Sequence, residues 1–452
     1  MFETVFLSRI QFAMTIAFHY IFPPMSIGLS VILVIMEGLY LKTKNPIYHH
    51  MTRFWVRIFG LIFAMGVATG IVMEFQFGTN WATYSRYVGD IFGSPLAAEA
   101  ILAFFLESTF LGVLLFGWDR ITRKMHFFST LMVALGAHLS AVWIIIANSW
   151  QQTPVGFKIV GEGASKRAEI TDFWAVVFNP SSIDRLSHTL CGAWAAGAFL
   201  VISISAYYIL RKKHLDLAQR SMKIAIVIAV ISSLGQLATG HTSAIGVAKN
   251  QPAKLAAFEA HYEAEAPGDL YLFGWVDERY DRVRFGLALP KFLSFLVHFD
   301  FNKPVTGLWA FPRRDWPPVN IVFQSYHAMV AIGMGLIGLS LAGAFFWWRN
   351  KLFDMTWLQL IFVPSFLGPQ IANQLGWVAA EVGRQPWVVY GVLRTSDAVS
   401  KAVPAAHVMV SLVLFGFVYS VLFILFAFLM VQKISEGPQI NGGQAPGSAV
   451  HA

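Results

Sequence analysis

The sequence predicts an all-α, polytopic membrane protein of nine transmembrane helices, with its N-terminus outside, its C-terminus cytoplasmic and one long outer loop. Three observations lead there. Of 452 residues 56% are hydrophobic and only 13% charged, and the mean hydropathy is +0.58, a balance incompatible with an ordinary water-facing surface. Nine segments hold the roughly 20 mainly apolar residues needed to cross about 30 Å of hydrocarbon. The positive charges, finally, collect unequally on alternate sides of those segments.

The segments fall at about 10–41, 54–77, 96–117, 126–149, 187–210, 222–245, 320–347, 357–377 and 402–431. Each must be a helix, because lipid offers open backbone groups no partner and nothing here has the short alternating strands of a barrel. The first is over-long and carries Pro23 and Pro24. Pro23 removes the bond to the carbonyl of His19, so a kink is expected there. The opening MFETVFLSRIQF has no basic n-region and no small-residue cleavage site, so the first segment is expected to be retained.

Fifteen Lys and Arg, among them Lys42, Arg57, Arg123, Lys213, Lys351 and Lys433, fall in short loops and a tail on one side. Nine, from Arg9 to Lys401, fall on the other. The positive-inside rule sends the fifteen to the cytoplasm. The loop at 246–319 then lies outside, and it is too long for a passive connector. Its aromatics Phe258, Tyr262, Tyr271, Phe273, Trp275 and Tyr280 argue for a folded cap over disorder. The chain thus divides into helices one to six (1–245), the outer loop (246–319), helices seven to nine (320–432) and a cytoplasmic tail (433–452) that is expected to be disordered from its Gly, Pro and Ala content.

A single cysteine, Cys191, excludes a disulfide within the chain and any cysteine-held zinc or iron–sulfur site. The formal charge of +8 sits beside apolar runs and not in a basic stripe, which fits the surface of a lipid bilayer and gives no nucleic-acid partner.

Ionisable groups inside a span are expensive and suggest function. His19, Glu74, Glu99, Asn148, His188 and Glu381 all sort to the outer face once the topology is set. Taken singly, each has a plainer reading: a lone membrane His or Glu bonds a neighbouring helix, and Met packs. Taken together at one depth, they point to a cofactor. Histidine with methionine, and histidine or carboxylate with an open position, are haem-iron ligand sets. Met329 lies about two and a half turns into the seventh helix, and paired with His188 it would complete a six-coordinate electron-transfer haem. Glu107 is the exception in depth, eight residues after Glu99 and roughly 12 Å further in. It is either protonated and structural or part of a proton path from the cytoplasm, which Asp119, Ser108 and Ser140 could extend. Asp119 alone reads as an interfacial charge.

The run GRQPW at 383–387, preceded by Trp377 and Glu381, resembles subunit I of the cytochrome bd quinol oxidases. So do SRIQFAMTIAFHYIFPP at 8–24, EFQFGTNW at 74–81, LAAEAILAFFLEST at 96–109 and NSWQQTPVG at 148–156, and the resemblance runs to about residue 432. It implies His19 and Glu99 as axial ligands at two separate high-spin haems, and His188 with Met329 at a low-spin haem. It implies Lys254 and Glu259 of KLAAFE as the pair that binds or deprotonates quinol; without it they would read as a solvated loop pair. By the same resemblance Glu107 falls on the family's buried proton-channel acid, Trp377, Glu381 and Arg384 are expected to surround the haem pair, and Arg9 and Glu74 to join the haem-binding set. The implied cofactors are two haems b and a third that is haem d or b, with ubiquinol or menaquinol as substrate. The implied partners are a second integral-membrane subunit and, in some members, a small single-helix subunit, in a bacterial inner membrane.

Two departures stand out. The outer loop matches the family's short-loop class, often called cyanide-insensitive. Two residues before Met329, where some members place an arginine, this chain has His327, a rival ligand by type that points to another helix face. The implied mechanism oxidises quinol at the outer loop and reduces dioxygen to water with cytoplasmic protons drawn through Glu107, without pumping. Two other readings are an ion-coupled secondary transporter and a haem-bearing, quinone-linked electron carrier that does not reduce oxygen. Transporters tend to broken, repeated helices with sites near the midplane, whereas the polar groups here lie near one face.

Overall fold

The computed structural model describes residues 2–438. Two helices open the chain, α1 (Phe2–His19) and α2 (Phe22–Thr43), and the turn between them stands directly ahead of Pro23, where the missing amide breaks the ladder. α3 (Pro46–Gly78) begins on a proline after Asn45, whose side chain accepts from the Ile47 amide at 3.1 Å, a self-contained start signal. α4 (Ala82–Ala98) runs through a π-helical turn at Glu99–Phe104 into α5 (Phe105–Phe116). α6 (Arg123–Gln152) is capped by Thr122, and a hairpin of β1 (Phe157–Val160) and β2 (Arg167–Ile170) and the short α7 (Phe173–Val177) lead to α8 (Ser182–Leu210) and α9 (Leu215–Asn250).

The segment between α9 and the next long helix is folded. It holds α10 (Pro252–Glu259), β3 (Glu265–Ala266), an antiparallel hairpin of β4 (Leu270–Asp277) and β5 (Arg282–Leu289), α11 (Phe292–His298) and β6 (Val305–Thr306), which pairs with β3. Leu255, Phe258, Tyr262, Val276, Leu293 and Leu308 form its core and bury it against Val322 and Phe323. Next come α12 (Val319–Trp348), α13 (Thr356–Phe362), a 3-10 turn at Val363–Phe366, α14 (Leu367–Val382), the small β7 (Trp387–Val389) and β8 (Leu393–Arg394), α15 (Thr395–Ala398) and α16 (Ala405–Glu436). The last helix takes in the first residues assigned to the tail, and the remainder of that tail, 439–452, lies outside the described residues.

Among the described residues, eight helical runs, the first of them broken by the turn at residues 20–21, are long and apolar enough to cross a membrane, from Glu3–Thr43 to Ala405–Glu436, and the chain is a multi-pass membrane protein. The segment expected at 357–377 is not one of the eight. It is broken into α13, the 3-10 turn and α14, because Pro364 lacks the amide an α-helix needs there and Pro369 falls in the first turn of α14. The third span is longer than expected, since Ala82–Phe116 is helical throughout. At the centre α2 crosses α8 backbone to backbone: a Cβ on Gly28 would lie 2.1 Å from the carbonyl oxygen of Ala193, and one on Gly197 2.3 Å from the carbonyl carbon of Gly28. Small residues at such a crossing let backbones approach and gain dispersion contacts that lipid alone does not provide.

Candidate functional site

One stripe of α6 meets most of the singled-out groups. A Cβ on Gly136 would lie 2.8 Å from Cβ of Glu107, so only a glycine lets that acid lie against the helix. Ser140 Oγ donates to Glu99 Oε1 at 2.8 Å, Asn148 Nδ2 to Glu381 Oε1 at 3.1 Å and Gln152 Nε2 to the same oxygen at 3.2 Å. Lys254 Nζ in turn donates to Gln152 Oε1 at 2.9 Å. Positions 136, 140, 148 and 152 differ by multiples of four, which places them on one helical face. Chain order along α6 therefore becomes spatial order from Glu107 through Glu99 and Glu381 to Lys254.

Glu381 is the anion of a buried, mainly cationic cluster. Arg384 Nη2 lies 2.5 Å from Glu381 Oε2 and Arg185 Nη2 3.9 Å from Oε1. Arg185 also donates to Asn148 Oδ1, and Arg384 to Gln151 Oε1 at 3.2 Å. Lys254, 2% exposed, completes the group. Two guanidinium groups and an amine thus face one carboxylate. Burial, with Arg185 adding repulsion, pushes the Lys254 ammonium well below its ordinary value. Nε of Arg185 and of Arg384 is buried with no hydrogen-bond partner among the described residues. A buried cationic excess with unused donors is costly unless an anion joins it, and the carboxylates of a haem are of the right charge.

The candidate iron ligands share a second feature. His19 Nδ1 is 2.9 Å from Thr69 Oγ1 and His188 Nδ1 is 3.0 Å from Thr239 Oγ1. A Cβ on Gly70 would meet Cε1 of His19 at 3.2 Å, one on Gly240 Cε1 of His188 at 3.3 Å, and one on Gly376 Sδ of Met329 at 2.8 Å. No hydrogen bond engages Nε2 of either ring among the described residues, so that nitrogen is free to ligate. Each group fits a haem ligand in chemistry and in the cradle that receives it. Glu99, half-buried in the π-helical turn, is held by Ser140, a local geometry frequent at functional sites.

His327, the rival ligand, has both nitrogens engaged. Nδ1 meets Phe323 O at 2.9 Å and Nε2 meets Tyr271 O at 2.7 Å, which ties α12 to β4. Its Nε2 also lies 3.7 Å from Glu259 Oε2, an oxygen with no hydrogen-bond partner among the described residues. Burial pushes the Glu259 carboxyl up to about 8. Lys254 and Glu259, at opposite ends of α10, face different neighbours. Glu74 and Arg9 are exposed on α3 and α1, and Trp377 is half-buried on α14; among the described residues none of the three has a side-chain hydrogen bond to the cluster. Ser108 bonds its own helix at Phe104 O, 2.7 Å, not a neighbour in a relay.

Sequence reasoning missed Arg185, Gln152, Thr69 and Thr239. Arg185 entered only as one positive in the orientation count, although it stands three residues before His188 on the same helix. The threonines had a signal too, since each precedes a glycine in the same tripeptide, Ala-Thr-Gly, at 68–70 and 238–240.

Comparison with known proteins finds similarity along nearly the whole chain. A family profile described as cytochrome bd terminal oxidase subunit I matches residues 7–438. A Bacillus subtilis protein named cytochrome bd ubiquinol oxidase subunit 1 is 39% identical over 443 residues, covering 96% of this chain and 94% of its own length. The Escherichia coli cytochrome bd-II ubiquinol oxidase subunit 1 is 36% identical over 512 residues, covering 99% of both. A chain of the bd oxidase structure from Geobacillus thermodenitrificans superposes with a TM-score of 0.89 at 30% identity, covering 96% of this chain and 99% of that one.

Proposed function

This chain belongs to the cytochrome bd terminal oxidase subunit I family and is part of a quinol:oxygen oxidoreductase, and from that premise we propose how its own residues serve the reaction. The family implies haems, a quinol substrate, dioxygen and a second membrane subunit. His188 and Met329 would hold a low-spin haem b, His19 and Glu99 would hold two high-spin haems, one b and the other d or b, and Arg185 and Arg384 would meet haem carboxylates. When bound, the haems carry single electrons and provide, at the high-spin pair, the place where dioxygen is reduced.

The protein supplies the protons and the positions. At the segment between α9 and α12, the Lys254 amine, held by Gln152 and Gln251 at 2.9 and 3.3 Å, hydrogen-bonds a quinol oxygen. Glu259 accepts the proton from the ring and releases it to the outer water. Glu107 passes cytoplasmic protons toward Glu99 and Ser140. Quinol protons leave on one side and protons for water enter from the other, so each charge separated stores about 2.3 kcal/mol per 100 mV without pumping. The α13–α14 segment supplies a ninth crossing, with the N-terminus outside and the 251–318 segment outside, in a bacterial inner membrane. A small single-helix subunit joins the complex in this reading.

The observation that carries it is the cationic excess around Glu381, close to His188 through Arg185, together with the Nε2 atoms of His19 and His188, which have no hydrogen-bond partner among the described residues. The test is the reduced-minus-oxidised visible spectrum of the purified complex, with oxygen uptake on ubiquinol and menaquinol. Low- and high-spin haem bands with quinol-dependent uptake are expected. A complex without haem bands, or with a normal low-spin band after His188→Ala, overturns it.

A further inference from the structure

The two Ala-Thr-Gly copies, at 68–70 in α3 and 238–240 in α9, receive histidines from different helices, α1 and α8, in one and the same way. Thr69 Oγ1 gives its proton to Met65 O at 2.8 Å, with Gly66 O as a second acceptor at 3.1 Å, and Thr239 Oγ1 gives its proton to Gly235 O at 2.8 Å. A hydroxyl has one proton and two acceptor sites. With the proton on the carbonyl one turn back, the oxygen presents a lone pair to the ring, so Nδ1 of His19 and of His188 must be the donor. A neutral imidazole that carries its proton on Nδ1 has a bare lone pair on Nε2. The glycine that follows each threonine lets the ring edge lie on the helix backbone, with a Cβ at that position meeting Cε1 at 3.2 and 3.3 Å. Packing alone does not call for the same hydroxyl and the same glycine at two unrelated helix pairs.

We propose that Thr69 and Thr239 are positioning residues for the two histidine ligands: each hydroxyl locks its ring into the Nδ1–H tautomer, aims Nε2 at the iron and sets the ligand's basicity. The proposal rests on His19 and His188 being ligands. A histidine that ligates a metal through one nitrogen is oriented and made more basic by the acceptor on the other. An acceptor lost from Nδ1 weakens donation to the iron and favours the ferrous form. The effect is confined to the haem that the ring serves, because the two threonines sit on separate helices with separate partners.

The experiment is a spectroelectrochemical titration of the purified oxidase complex carrying Thr69→Val or Thr239→Val, with haem content measured alongside. Valine keeps the shape and deletes the acceptor. Loss of an outer-shell partner typically costs about 10-fold or more, and a tenfold change in the ferric/ferrous ratio equals about 59 mV in a one-electron couple. Thr239→Val should therefore raise the midpoint of the low-spin haem by about that amount and leave the others in place, and Thr69→Val should do so at one high-spin haem. Thr→Ser at either position should restore the native midpoint. Unchanged midpoints in both valine variants, or a shift at the wrong haem, overturn the proposal. If a valine variant loses its haem, the serine variant decides: native content and potential support the hydroxyl's role, and loss in serine as well refutes it. His19→Ala and His188→Ala keep the two ideas apart, because haem retained in those variants refutes the ligand assignment itself, whatever the threonines do.

Discussion

Glu259→Gln has an effect that can be worked out from the surroundings of the carboxyl. Glu259 ends α10, is 2% exposed, and its Oε2 is buried without a hydrogen bond among the described residues. The groups facing it are His327 Nε2 at 3.7 Å and the ring of Tyr326, which stacks on Phe258 at 4.5 Å. Lys254, on the same short helix, turns away to Gln152 and Gln251. Burial raises the carboxyl to about 8, so the folded protein holds this proton at neutral pH and releases it as pH climbs through that value. Only the ionised form accepts a proton from quinol. It makes up about one tenth of the population at pH 7, about half at pH 8 and about nine tenths at pH 9. The rate on quinol should then climb about tenfold from pH 7 to 9 and flatten above. The assay is oxygen uptake with quinol from pH 6 to 9, paired with reduction of the haems by an artificial donor that bypasses the quinol site. Glu259→Gln should lose the rising limb and most quinol activity while the bypass reaction persists. The same limb surviving in the glutamine variant refutes the assignment of the base, and equal slowing with both electron sources makes the residue structural.

Three further outcomes follow from the geometry. His188→Ala and Met329→Leu should each abolish the low-spin band and quinol oxidation, checked by reduced-minus-oxidised spectra; a normal band in both variants reassigns the ligands. Glu107→Gln, a volume-conserving change beside Gly136, should slow oxygen reduction while quinol still reduces the low-spin haem, read by stopped-flow absorption. Unchanged turnover would rule out an obligatory path through it. Gly28→Ala puts a methyl 2.1 Å from the carbonyl oxygen of Ala193, an overpacking that costs about 1–3 kcal/mol; thermal unfolding of the complex should shift down, and an unchanged midpoint would show that α2 and α8 can part there freely.

How far the fold could be read from the chain follows from what hydropathy measures. Long apolar runs report that a segment avoids water, and eight of the nine appear as long helices for that reason. The break at residues 20–21 was legible because Pro23 deletes a specific bond. The break at Val363–Phe366 was equally encoded, by Pro364, yet an average over apolar residues is blind to a missing amide. The π-helical turn at Glu99–Phe104 has no signature in composition at all, since it differs from α-helix only in which carbonyl each amide reaches.

The site divides along the same line. A charge inside a lipid-facing segment is conspicuous by cost, so His19, Glu99, Glu107, His188 and Glu381 could be named from the chain alone, whereas Lys254 and Glu259 carried meaning only through the family resemblance, being ordinary loop charges until α10 is seen buried. What could not be read is which groups meet, because the partners are inconspicuous by residue type. Gly136, Ser140, Asn148 and Gln152 form a stripe at multiples of four, but small and neutral polar residues at that spacing occur in any membrane helix that packs. The stripe acquires function only when the π-helical turn, α5, α10 and α14 bring a carboxylate or an amine to each position. Arg185 was hidden for the opposite reason. It was visible, but a positive charge near a helix end already has an explanation in topology, and that explanation leaves no residue of surprise. Its place beside Glu381 is what changes its meaning: an interfacial arginine would keep all its donors in water, whereas this one holds Nε in the interior with no partner among the described residues, a cost the fold sustains if an anion arrives there.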